Sequence, residues 1–176
     1  MLENIKRDFK LITVLLIPIG IVINGAGGWL IAKLNVPFYL DTVGTIFVAV
    51  VAGPLAGAIT GVITNVILGF VSRSYAPYWP VPLLIGLAAG LFANAGWFKN
   101  WWKVMLAGFI LAMIAAVTST LIAMRIHGST NLNLSYFLLE EPGDKIATAL
   151  IVFGITQILP KRILAVLPRR ENVTSE

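Results

Sequence analysis

An acid, two threonines and a tyrosine crowd into seven residues, Tyr39-Leu-Asp-Thr-Val-Gly-Thr45, inside a chain that is otherwise strongly apolar. Thr42 and Thr45 stand three apart and share a helix face. With Asp41 they form a hydrogen-bonding stripe suited to holding a polar solute. Asp41 could equally serve as a helix cap, and the threonines could bond back to their own helix. Asn65 carries an amide that needs partners at membrane depth, either from other helices or from a ligand. Asn24, beside the glycines at 25, 27 and 28, reads as a structural amide. An aromatic group, Tyr75, Tyr78 and Trp79, is stiffened by Pro77 and Pro80. Further along, Asn131, Tyr136 and Asp144 add polar groups. This is the chemistry of noncovalent capture, since a bilayer penalises such groups unless they face a cavity, a partner or water. The candidate ligand contacts are therefore Tyr39, Asp41, Thr42, Thr45, Asn65, Tyr75, Tyr78, Trp79, Asn131, Tyr136 and Asp144.

Other chemistries are poorly supplied. There are no cysteines and one histidine, His127, so thiolate or multi-histidine metal sites and cysteine nucleophiles are excluded. No paired catalytic acids and no Ser/His pair stand out, and no catalytic residue, metal ligand or cofactor is assigned. No G-x-x-x-x-G-K-[ST] motif occurs, so any ATP-driven step belongs to another subunit. The net charge of +5 and pI near 9.8 are read as topology signals beside helices and not as a nucleic-acid footprint.

The elements that must position these groups follow from composition. The chain is 58% hydrophobic and 12% charged. That is about half the charge of a soluble domain, which carries roughly 25%. An all-α integral membrane bundle follows, a single transmembrane domain over residues 1–176 in the cell membrane. Six spans are expected: 9–34, 40–52, 55–71, 81–95, 102–126 and 143–159. Pro18 should kink the first, and spans two to four are short for a core about 30 Å thick. The 13 basic residues set the orientation. With the N-terminus inside, nine lie inside (Lys6, Arg7, Lys10, Lys99, Lys103, Lys161, Arg162, Arg169, Arg170) and four outside (Lys33, Arg73, Arg125, Lys145). Both termini are then cytoplasmic. The aromatic and amide-bearing loops 35–39, 72–80 and 127–142 face outward, where they can cover a ligand.

The run from Phe38 to Gly61, FYLDTVGTIFVAVVAGPLAGAITG, the Pro142-Gly-Asp-Lys145 stretch and the Leu159-Pro-Lys-Arg162 exit resemble the substrate-binding S components of energy-coupling factor (ECF) transporters. The resemblance covers nearly the whole chain. It implies a binding subunit, not an enzyme, that captures a vitamin from outside. It also implies two kinds of partner, a transmembrane scaffold (T component) and two cytoplasmic ATPases of an ABC importer. Many members carry Ala-x-x-x-Ala on helix one for the scaffold, and this chain lacks it. Ala49, Gly53, Gly57 and Gly61 form the cleaner small-residue ridge and are the expected docking face, with internal packing as the alternative. For the cargo, the aromatic loops and short helices point to a wide mouth and a cobalamin or cobinamide ligand. Pantothenate, pyridoxine or a pyrimidine precursor are the alternatives. A small membrane enzyme or an assembly protein would be the reading from another class.

Overall fold

The computed structural model describes residues 11–34, 39–127 and 134–173. They form a bundle of α-helices: α1 Leu11–Leu34, α2 Val43–Ala52, α3 Pro54–Val71, α4 Pro80–Asn94, α5 Trp101–His127, α6 Leu134–Ile158 and a one-turn α7 Lys161–Leu164. Single 3-10 turns at Ala76–Tyr78, Trp97–Lys99 and Arg170–Asn172 join or follow them.

Four segments are long and apolar enough to cross a membrane: Leu11–Leu34, Pro54–Val71, Ala76–Asn94 and Trp101–Ile126. Helices three and four were expected to be short. The first reaches 18 residues, and the second reaches 19 once its leading 3-10 turn is included. Only α2, with 10 residues, is far too short, at about 15 Å for a core of about 30 Å.

α2 sits at the centre. Its sequence VGTIFVAVVA is apolar all round, and every one of its residues is buried. α1 crosses it where two glycines meet. A Cβ on Gly44 would collide with the backbone of Gly20, so the two backbones touch with no side chain between them. α1 turns Thr13, Leu16, Gly20, Asn24 and Ile31 inward, a stripe at helical spacing. At the other end of α2, Gly53 takes φ 110°, a conformation suited to glycine, and Pro54 starts α3 at once.

The small-residue ridge faces inward. Ala49 is fully buried, and a Cβ on Gly57 would collide with it. A Cβ on Gly61 would come within 2.8 Å of Pro82 in α4. Gly53 is buried as well. Ala49, Gly53, Gly57 and Gly61 pack among α2, α3 and α4, the internal-packing alternative to a docking face.

The last long helix also departs from expectation. It starts at Leu134, not 143, and runs through Pro142. A proline removes one helix hydrogen bond but does not end a helix whose flanking turns hold. Glu140 and Glu141 therefore stand on α6 and not in a loop before it.

Candidate functional site

A cavity of about 340 Å³ opens at one end of the bundle. Its walls come from the 39–42 segment, α3, the 72–80 connection, α4, α5 and α6. The lower wall is apolar, built from Leu68, Val81, Pro82 and Ile85. Tyr75 and Tyr78 stand at the rim, and Asp41, Thr42, Asn65, Ser119, Glu141 and Lys145 supply polar groups.

The 39–42 segment is held from two sides. From α6, Asp144 Oδ1 accepts the backbone N–H groups of Tyr39 and Leu40, each at 2.8 Å. Leu40 sits at φ 45°, a left-handed conformation that a branched side chain adopts at a cost. The two amide bonds to Asp144 hold it there. Tyr39 Oη donates to Glu140 Oε2 at 2.9 Å, and Lys145 Nζ lies 6.0 Å from the centre of the Tyr39 ring.

From α1, Asn24 caps α2. Its Oδ1 accepts the N–H groups of Gly44 at 2.7 Å and Thr45 at 3.1 Å. The first N–H groups of any helix lack intrahelical partners, and Thr42 supplies no side-chain cap of its own. Asn24 Nδ2 donates to Thr45 Oγ1 at 2.9 Å and to Thr64 Oγ1 at 3.0 Å. One buried amide thus ties α1, α2 and α3 together directly behind the cavity wall.

Lys145 is the cation of the site. It is 3% exposed. It hydrogen-bonds Asp144 and pairs with Glu141 Oε2 at 3.2 Å, one helical turn away. The cluster of half-buried Asp41 with buried Glu141, Asp144 and Lys145 holds three acids to one base. Such groups are costly to bury unless each finds a partner.

Several partners are missing. Among the described residues, Thr42 Oγ1, Asn65 Oδ1 and Glu141 Oε2 are buried atoms without a hydrogen bond, and all three residues line the cavity. The Glu141 contact with Lys145 is an ion pair that lacks hydrogen-bond alignment. Native proteins rarely leave such atoms unsatisfied. Thr42 and Asn65 leave two such atoms on one cavity, and Glu141 Oε2 has only its ion pair, so the surface can receive hydrogen bonds from something else. Thr13 and Thr148 also carry unpartnered hydroxyls, away from the cavity lining.

Of the residues singled out in the sequence, Tyr39, Asp41, Thr42, Asn65, Tyr75 and Tyr78 line the cavity. Thr45 is fully buried against Asn24 and does not line it. Trp79 is 46% exposed and does not line it. Asp144 stands behind the wall as the clamp on the 39–42 segment. Asn131 and the side chains of Tyr136 and His127 lie outside the described residues.

Sequence reasoning missed the Glu141–Lys145 pair as cavity lining. Opposite charges four residues apart in an apolar stretch were the available signal, and Pro142 between them masked it. No group of three metal-binding side chains occurs among the described residues.

An all-helical membrane bundle with an amphipathic cavity at one end defines a membrane-embedded solute-binding protein. Residues 9–167 match the family described as ECF-type riboflavin transporter, S component, and the chain belongs to that family. It is thus an S component of the energy-coupling factor class, a vitamin-uptake subunit in the cell membrane and not a member of an enzyme class. No curated protein and no solved structure matches the chain.

Proposed function

We propose that this S component captures riboflavin from outside the cell. It then delivers the vitamin inward with a transmembrane scaffold and two cytoplasmic ATPases. The observation that carries the reading is the pair of unpartnered buried polar atoms, on Thr42 and Asn65, beside the ion-paired Glu141, in a cavity that joins apolar and aromatic walls to polar groups. Riboflavin has the matching chemistry: a flat tricyclic ring with an apolar edge, an opposite edge of N–H and C=O groups, and a polyhydroxyl tail. The ring can lie between Tyr75, Tyr78 and the Leu68–Ile85 wall. Glu141, Asn65 and Thr42 can accept from the N–H and hydroxyl donors, and Lys145 can donate to a carbonyl.

Size supports the same choice. Ligand cavities run from roughly 300 to 1,000 Å³, and this one, at about 340 Å³, lies at the small end. A corrinoid such as cobalamin is several times bulkier than a flavin and would stand mostly outside it. The family description names riboflavin, so a flavin displaces the corrinoid expected from the aromatic loops. The basic-residue bias places the cavity mouth outside and both termini in the cytoplasm.

Fluorescence quenching of riboflavin by the purified chain in detergent tests the proposal. Saturable binding that excess pantothenate, pyridoxine or cobinamide fails to displace is the expected result. Displacement by cobinamide, or no quenching, refutes it.

A further inference from the structure

The end of α2 opposite the cavity is closed by a separate piece of chain. At about 15 Å, α2 is about half as long as a bilayer core is thick, and it ends at the Gly53-Pro54 turn. The segment after α7 packs against this end. Leu167, Arg169, Asn172 and Val173 are each 4–6% exposed.

Its polar contacts converge on the last carbonyls of α2 and on the end of α4. The Arg169 backbone N–H donates to Val51 O at 3.0 Å, and Asn172 Nδ2 donates to Val50 O at 2.9 Å. Asn94 Oδ1 accepts from the Arg169 guanidinium at 2.7 Å and from Asn172 Nδ2 at 3.3 Å. The closing carbonyls of a helix have no partners within it. Here the added segment supplies them.

We propose that residues 165–173 are a displaceable stopper on the cytoplasmic side. It locks α2 while the cavity is loaded and leaves during the transport cycle. One observation supports displacement. Beyond α7, the segment has one 3-10 turn and no longer regular element, and short irregular pieces are the parts of a fold that open most easily. The groups it would uncover, Val50 O and Val51 O, can be taken over by cytoplasmic water. The consequence reaches the cavity because α2 is a single short rod. Thr42, just before its outer end, is cavity wall, and Val50 and Val51 at its inner end are held by the stopper. The inference rests on the S-component reading with its scaffold and ATPases.

The test exploits the absence of native cysteines. In an Asn94→Cys/Asn172→Cys variant, a short reducible bis-methanethiosulfonate bridge pins the stopper. The bridged chain should bind riboflavin within about twofold of its reduced form. ATP-driven riboflavin uptake by the complete transporter should fall at least tenfold and return on reduction. Uptake unaffected by the bridge, or loss of binding on bridging, overturns the proposal. A second measurement needs no vitamin. Ala52→Cys, at a fully buried position, should react with a membrane-impermeant maleimide at least tenfold faster in the ATP-cycling complex than in the isolated chain. Equal labelling rates overturn the stopper whatever the cargo proves to be, whereas a failure of riboflavin binding alone refutes only the substrate.

Discussion

Asn24→Ala removes a side chain that makes four hydrogen bonds without touching the cavity itself. Loss of a helix cap costs typically about 1 kcal/mol. The amide N–H groups of Gly44 and Thr45 are then left in a dry interior, and an unsatisfied buried donor costs about 1–3 kcal/mol. Both figures price the same lost N–H bonds, and the dry interior sets the larger one, about 3 kcal/mol. Thr64→Val removes only one of the four bonds and should cost about 1 kcal/mol. Reversible unfolding in mixed SDS micelles, followed by circular dichroism, reads both. Because the capped turn directly follows Asp41 and Thr42, part of the loss should also appear in binding. About 1.4 kcal/mol of it corresponds to a tenfold weaker riboflavin Kd. Asn24→Ala no more destabilising than Thr64→Val, or with unchanged Kd, would refute the argument that one α1 amide sets the cavity wall.

Three further outcomes are expected. Gly57→Leu should lower yield and melting temperature sharply, since its side chain would have to enter the α2–α3 contact at Ala49; a well-folded variant that loses only scaffold assembly would restore the docking ridge. Lys145→Met should destabilise the chain by about 3–5 kcal/mol, the cost of leaving buried charges unpaired, while Glu141→Gln should keep the fold and weaken riboflavin binding about tenfold, both read by melting beside fluorescence titration. Ser74→Cys, at an exposed position on the cavity rim, should label with an impermeant thiol reagent only from outside intact cells, and labelling only from inside would invert the topology.

Hydropathy and composition by themselves determined that this is a membrane bundle, because a run of apolar residues long enough to span is a local property. They placed five of the helices to within a few residues. They also singled out the 39–45 patch, because polar groups in such surroundings have few reasons to exist. What lay beyond the sequence were the facts that depend on which faces meet. Gly57 beside Ala49 and Gly61 beside Pro82 look the same in sequence whether a small-residue ridge packs inward or outward, and only the tertiary contacts decide. Thr42 and Thr45 share a helix face by spacing, yet Asn24 from α1 claims Thr45 while Thr42 is left to the cavity. Pro142 reads as the entry to a helix that begins at 143. Packing of α6 against α5 carries the helix through it, with Gly108 admitting the α6 backbone at Ile146, and so brings Glu141 and Lys145 to the cavity together. In each case the residue's chemistry was visible in the chain, and its partner was set by packing between elements distant in sequence.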